Sequence, residues 1–225
     1  PGEDKDDIYV CELSSYQLDD IEHSPHIAVI INVFPEHMNY HGTVEDYWGA
    51  KKRIVQFSLP ADFFVYNPRF NELQRLAKET KAQAIPYVDT LPFPEKDIPL
   101  LGVHNKENIR AAVTVAKILD IQTNTAHEAI KSFRPLPHRL QPVGTYKGIT
   151  FYDDAISTTP QSTMCAIEAL ADISVIFLGG QDRGYDFKQL VEVLHARRIR
   201  TVVLFPDSGY SIGRLLQEYS DDAYT

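Results

Sequence analysis

The chain has 225 residues, 44% of them hydrophobic, which is enough for one large domain or two modest ones with a genuine core. A formal net charge of −9 argues against a nucleic-acid-binding surface, which would be basic. No apolar run approaches the ~18 residues of a membrane span, and no basic segment followed by an apolar one opens the chain as a secretory signal would.

The first residues are Pro1-Gly2 and the charged run Glu3-Asp4-Lys5-Asp6-Asp7, and the last are Asp221-Asp222-Ala223-Tyr224-Thr225. Both ends read as cuts inside a longer protein. Two short apolar runs follow the opening charges, Ile8-Tyr9-Val10-Cys11 and Ile27-Ala28-Val29-Ile30-Ile31, each stopped by polar residues. Such runs predict buried strands. In open α/β sheets ligands collect beyond the carboxyl ends of parallel strands, so Glu12 and His37 are expected at one functional edge. A helix is predicted over 44–57, carrying Lys51, Lys52 and Arg53.

Farther along, 62–66 predicts a strand closed by Asn67-Pro68, and 70–81 a helix with Leu73, Leu76 and Ala77 on one face. Residues 84–88 suit an edge strand, because Pro86 cannot donate to a central ladder. Pro92, Pro94 and Pro99 make 90–99 a loop. A helix over 105–119, capped by Asn105, sets Ile109, Ala112, Val113, Ala116 and Leu119 at core spacing, and a shorter helix covers 125–133. Arg134-Pro135-Leu136-Pro137-His138-Arg139 is the best linker in the chain.

Beyond the linker, 143–151 reads as a hairpin around Tyr146-Lys147-Gly148. Thr159 as cap and Pro160 at the first position start a helix. Residues 174–178 predict a buried strand running into Gly179-Gly180, followed by a helix over 187–197, a strand over 201–205 and a helix over 211–219. Alternating strands and helices predict parallel α/β sheets in both halves. Cys11 in a strand and Cys165 in a helix are expected to be buried thiols of a reducing compartment rather than a disulfide.

Taken singly, the polar residues have plain readings. Glu12 is a strand-end acid, although a carboxylate there also suits Mg²⁺. His37 reads as a surface or capping histidine, and Lys51, Lys52 and Arg53 as a solvated helical face. His41 lies four residues after His37, but Gly42 and the loop around it make a shared metal-binding helix face a poor reading.

Glu12-Leu13-Ser14-Ser15-Tyr16-Gln17-Leu18, then Asn32 with Pro35-Glu36-His37-Met38, then Ala50-Lys51-Lys52-Arg53-Ile54 together resemble the central domain of the Mur ligase family. The Ser-Ser-Tyr-Gln-Leu tail is most similar to the branch that joins glutamate to UDP-N-acetylmuramoyl-L-alanine. Further matches reach about Phe187. The resemblance implies residues 1–136 as the later part of an ATPase-type central (ATP-binding) α/β domain. It implies 137–225 as an incomplete, Rossmann-like, amino-acid-binding C-terminal domain.

The resemblance also implies roles. Glu12, His37 and Lys51 would be metal-associated catalytic residues holding Mg²⁺, with Lys51 carbamylated by CO₂ and Lys52 its competitor in register. A lysine must be neutral to add CO₂, so partial burial or cationic neighbours such as Lys52 and Arg53 would help by lowering its pKa. Ser14 would contact substrate. Within Gly102-Val103-His104-Asn105-Lys106-Glu107-Asn108, Asn108 would lie near the adenine of ATP. Arg139 would contact the nucleotide phosphates and Asp154 the ribose.

Thr158 and Arg183 would hold the incoming amino acid. Ile156 and Thr159 depart from the family pattern, which often has lysine and asparagine there, and Arg183 replaces a usual lysine. Arginine still pairs bidentately with a carboxylate, so an acidic amino acid remains implied, without its stereochemistry.

No Gly-x-x-x-x-Gly-Lys-Ser/Thr loop occurs in the sequence, nor any Gly-Lys pair. In the family that loop precedes the Glu12 motif, so it would lie upstream of Pro1, and the chain by itself is expected to be inactive. The implied parent is a monomer in the bacterial cytoplasm, without nucleic-acid or membrane partners. Unpaired sheet edges would let the shorter chain self-associate. Two alternatives stay open: a ligase like folylpolyglutamate synthase, and a catalytically dead nucleotide- or amino-acid-binding module.

Overall fold

The computed structural model describes residues 7–34 and 38–219. The chain forms two compact units, residues 1–93 with 107–126, and residues 94–106 with 127–225. The first elements in chain order are α1 (Ser15–Leu18), β1 (Ile27–Ile30), α2 (Met38–His41), α3 (Val44–Gln56) and β2 (Phe63–Tyr66). Next come α4 (Asn71–Glu79), β3 (Gln83–Pro86), a 3-10 turn (Glu95–Asp97), α5 (Val103–Ile118) and α6 (Thr123–Ser132). The rest are β4 (Gln141–Tyr146), β5 (Ile149–Asp153), α7 (Pro160–Ala169), β6 (Val175–Gly180), α8 (Lys188–Ala196), β7 (Thr201–Asp207) and α9 (Ser208–Tyr219).

In the first unit β1, β2 and β3 pair in parallel in that order, Ala28 opposite Phe64 and Phe64 opposite Ala84. Parallel neighbours need a crossover, and α3 and α4 supply the two. Successive strand side chains take opposite faces. Ala28, Ile30 and Phe64 therefore join Val55, Leu73 and Leu76 in one core. Ile27 and Val65 meet Tyr87 together with Ala111, Val115 and Ile118 of α5 in another. β2, with Phe64 and Val65 both fully buried, is covered on both faces and apolar at every position, whereas the equally apolar β1 leaves Val29 exposed. β3 lies at the edge, where the missing N–H of Pro86 costs no ladder bond.

Side chains fasten the ends of these elements. Thr43 caps α3 by accepting the Asp46 N–H at 3.1 Å. Arg53 donates from Nε and Nη2 to the Ile21 carbonyl at 3.1 and 2.7 Å, fixing the approach to β1. Asn67 closes β2: its Nδ2 donates to the Ile31 carbonyl at 3.0 Å and its Oδ1 accepts the Arg69 N–H at 3.0 Å.

Three sequence expectations are corrected between the start of the chain and the end of α5. Residues 8–11 form no strand; Ile8, Tyr9, Val10 and Cys11 are exposed. An apolar run becomes a strand only when a neighbour takes its N–H and C=O groups, and among the described residues none pairs with it. Helix α5 begins at Val103, so Asn105 is no cap; its buried side chain donates to the Leu101 carbonyl at 2.7 Å. Ala112 is exposed, while Ala111 and Thr114 are buried. Thr114 can be buried because its hydroxyl accepts the Val88 N–H at 2.9 Å and donates to the Arg110 carbonyl at 2.8 Å.

In the second unit β4 and β5 form an antiparallel hairpin. Its turn residues Lys147 and Gly148 have φ of 49° and 79°, the paired positive values of a type I′ turn. Thr159 caps α7 reciprocally with Ser162, behind Pro160 at the first helical position. β6 and β7 are parallel, and Ile167, Leu178, Leu190, Val191, Leu194, Ile199, Ile212 and Leu216 form the core beneath them. The strand expected to be buried at 174–178 is covered on one face only. Ile176 and Leu178 pack on that core, while Val175 and Phe177 are exposed, Phe177 stacking on Phe205 at 6.2 Å between ring centroids. Cys165 is half-buried, and burial, then the Glu168 charge, raises its thiol pKa.

Candidate functional site

In the first unit α1, α2 and α3 converge on His41. Ser14 caps α1 in a reciprocal box with Gln17, and that leaves the next residue, Ser15, buried. Ser15 Oγ meets His41 Nε2 at 2.9 Å. The His41 ring lies edge-on to Tyr47 at 5.5 Å, and Lys51 Nζ stands 5.2 Å from the Tyr47 ring centroid. His41 thus has the surroundings of a packing residue. Lys51, half-buried, borders the same cluster through Tyr47. Lys52 lies over Trp48 and Arg53 over Phe57, so each of the three consecutive cations rests on its own ring.

Glu12 is exposed in the extended segment before α1. His37 lies outside the described residues. Among the described residues no group of three His, Cys, Asp or Glu side chains forms a metal cage. Mg²⁺ is usually shared between one or two carboxylates and substrate phosphates rather than enclosed by protein, so an exposed Glu12 carboxylate is a donor of the right chemistry. Asn108 is exposed on α5. Beside it Glu107 gathers two arginines, accepting from Arg69 Nη1 at 3.1 Å and more closely from Arg110 Nη1.

The second unit assembles a polar group around Asp153 and Asp154. Asp154 Oδ1 accepts the Leu140 N–H at 2.7 Å, and its Oδ2 accepts the Ser157 hydroxyl in a short bond. Asp153 Oδ2 meets His138 Nδ1 at 2.7 Å, while its Oδ1 accepts the Ala155 N–H at 3.0 Å. The bond from His138, then that from the Ala155 N–H, holds the Asp153 carboxyl below its ordinary pKa. Arg139 sits between His138 and Leu140 with its side chain exposed.

His104 shares this neighbourhood. Its pKa is pushed down, first by burial; the Asp154 charge opposes, Arg139 adds to the fall and Glu168 opposes. Gly102 makes room for the ring: a Cβ there, at φ 91°, would lie 2.7 Å from His104 Cε1 and 3.0 Å from the Ala169 Cβ. Thr158 is exposed immediately before the cap of α7. Arg183 is exposed in the loop after β6. That loop is pinned by Asp182, which accepts the Gly184 N–H at 2.8 Å and the Ser211 hydroxyl at 3.0 Å. The sequence reading missed His138, Asp153 and His104; the doublet Asp153-Asp154 at the end of a predicted hairpin was the available signal.

Residues 2–93 match the family model described as Mur ligase middle domain. The UDP-N-acetylmuramoylalanine--D-glutamate ligase of Halalkalibacterium halodurans is 35% identical over 233 positions, covering 95% of this chain and 51% of the relative. The chain is thus similar to Mur ligases along nearly its whole length. The enzyme of the same name from Streptococcus agalactiae serotype III is 36% identical over 242 positions, covering 97% of this chain and 53% of its own length. The chain therefore spans about half the length of the curated relatives it matches.

Solved structures extend the Mur ligase likeness to the fold. A MurF ligase from Thermotoga maritima in complex with ADP superposes with a TM-score of 0.69 at 16% identity, over 89% of this chain and 52% of that one. The folylpolyglutamate synthase of Mycobacterium tuberculosis, complexed with ADP and AMPPCP, gives 0.66 at 15% identity over 89% and 54%. At such identities the likeness speaks for a shared α/β architecture, in line with the parallel sheets expected of both halves.

Proposed function

We propose that this chain is part of an ATP-dependent amide ligase that joins glutamate, as its D enantiomer, to UDP-N-acetylmuramoyl-L-alanine in the making of peptidoglycan precursors. The observation that carries this reading is the 35–36% identity to ligases named for D-glutamate, sustained over 95–97% of the chain. The γ-phosphoryl group of ATP passes to the alanyl carboxylate and gives an acyl phosphate. The glutamate amine then attacks that carbonyl, and phosphate leaves from the tetrahedral intermediate. Catalysis of this kind rests on placing phosphates and neutralising their charge.

Asn108 faces the adenine, Asp154 the ribose and Arg139 the phosphates. A carboxylate has about four lone-pair sites. The bonds from Leu140 and Ser157 use two of those on Asp154, which leaves acceptor capacity for a ribose hydroxyl. Thr158 and Arg183 hold the glutamate, and the exposed guanidinium of Arg183 is suited to its side-chain carboxylate. Ser14 contacts the nucleotide-sugar substrate.

Glu12, His37 and a carbamylated Lys51 would hold Mg²⁺, which when bound supplies positive charge beside the phosphates. The functional boundary is assigned to the proline-containing linker, with residues 1–136 belonging to the ATP-binding domain and 137–225 to the amino-acid-binding domain.

The test uses the intact gene product with UDP-N-acetylmuramoyl-L-alanine, ATP and Mg²⁺, following ADP release with D- and L-glutamate in parallel. Turnover with D-glutamate alone is the expected result. Turnover with L-glutamate alone would overturn the stereochemistry, and none with either would overturn the ligase.

A further inference from the structure

Arg139 has an exposed side chain on a backbone whose neighbours are tied down on every side. His138 and Leu140, which flank it, both adopt left-handed backbone, with φ of 61° and 44°. Neither is glycine, so each conformation persists only where surrounding bonds over-determine it. Those bonds are present. The His138 N–H donates to Gln141 Oε1 at 3.0 Å, its carbonyl accepts the Ile156 N–H at 3.1 Å, and its ring is held by Asp153. The Leu140 N–H is held by Asp154, and its side chain is buried. Arg139 itself donates its N–H to the Leu136 carbonyl at 3.3 Å.

We propose that Asp153 and His138 are positioning residues: their bond, acting with that from Asp154 to Leu140, clamps the backbone on both sides of Arg139 and so aims its guanidinium at the nucleotide phosphates. This rests on the phosphate role given to Arg139 above, and adds the residues that make that role possible. Consecutive aspartates at the end of β5 thus serve adjacent anchors, Asp153 through the side chain before Arg139 and Asp154 through the backbone after it. Pre-setting a charged side chain in this way cuts the ordering cost of binding.

Nucleotide affinity, measured on the intact gene product with ATP and AMP as probes, tests the clamp apart from ligation. Asp153→Ala is expected to weaken ATP on the order of tenfold, while AMP changes little. Asp153→Asn and His138→Asn, which each keep a hydrogen bond, should recover most of the affinity. In an Arg139→Ala background Asp153→Ala should add nothing, because coupled residues do not act additively. Unchanged ATP affinity in Asp153→Ala, equal losses for ATP and AMP, or a full additional loss in the double variant would overturn the clamp. So would failure of the unsubstituted protein to bind ATP. Normal ATP binding without amide formation would sink the ligase reading while leaving the clamp to stand on these affinities.

Discussion

Burial of the His104 ring in the space left by Gly102 has a measurable signature in pH. A histidine whose folded pKa lies below its unfolded value binds its proton more readily when unfolded. Its contribution to stability is therefore complete above about pH 6.5 and is lost as pH falls through the folded pKa. NMR titration should place His104 below the ordinary imidazole value, and His104→Gln should flatten the loss of melting temperature between neutral and mildly acidic pH.

Asp153 works lower on the scale. Its depressed pKa, caused first by His138, adds stability above the usual carboxylate range, and protonation removes it as pH falls further. Asp153→Asn should shrink the acid-side drop in melting temperature below about pH 4. Arg139 and Asp154 enter as candidates only through family resemblance. The His138–Asp153 pair was not, because its members are 15 residues apart and meet only once the hairpin has closed.

Among the elements, the β6–β7 pair makes the sharpest demand on sequence. A Cβ on Gly179 would lie 2.2 Å from the Phe205 carbonyl oxygen, and that atom belongs to the backbone of the paired strand. Gly179→Ala must push the strands apart, and is expected to lower the melting temperature more than a surface substitution on α8 would, by differential scanning calorimetry. In the other unit Leu73 is fully buried among Phe64, Val55 and Leu76, and Leu73→Ala should cost about 2–5 kcal/mol in chemical denaturation.

Most elements were readable from periodicity and punctuation: the crossover helices, an edge strand containing Pro86 (expected over 84–88, found as Gln83–Pro86), the hairpin and the Thr159–Pro160 helix start. Burial was less so. Residues 8–11 and 174–178 carry the same kind of apolar run as β1, yet one finds no ladder partner among the described residues and the other is covered on a single face. Local composition does not record what will lie above a strand.

On the scale of the whole molecule, a net charge of −9 opposes the open apolar surface. Phe177 is 62% and Phe205 53% exposed on one sheet face, and Val10 is 95% exposed near the amino end. Patches of this kind favour association, whereas like charge resists it over roughly 10 Å at 0.1 M salt. Raising the salt concentration should therefore increase self-association of the 225-residue chain in sedimentation velocity, and Phe177→Ser should reduce it. A sedimentation coefficient indifferent to both changes would refute the argument.

The tight turn at Lys147-Gly148 sets an order of events in time. A two-residue connection lets β4 meet β5 in about 1–10 μs. β6, by contrast, must wait for the helix that carries the chain round to β7. Thr145 and Thr150, whose hydroxyls lie 3.0 Å apart across the hairpin, are thus companions early in the chain's folding. Asp153 reaches the neighbourhood of His138 with them, so the seat of Arg139 can be rehearsed many times before the core beneath β6 and β7 has condensed.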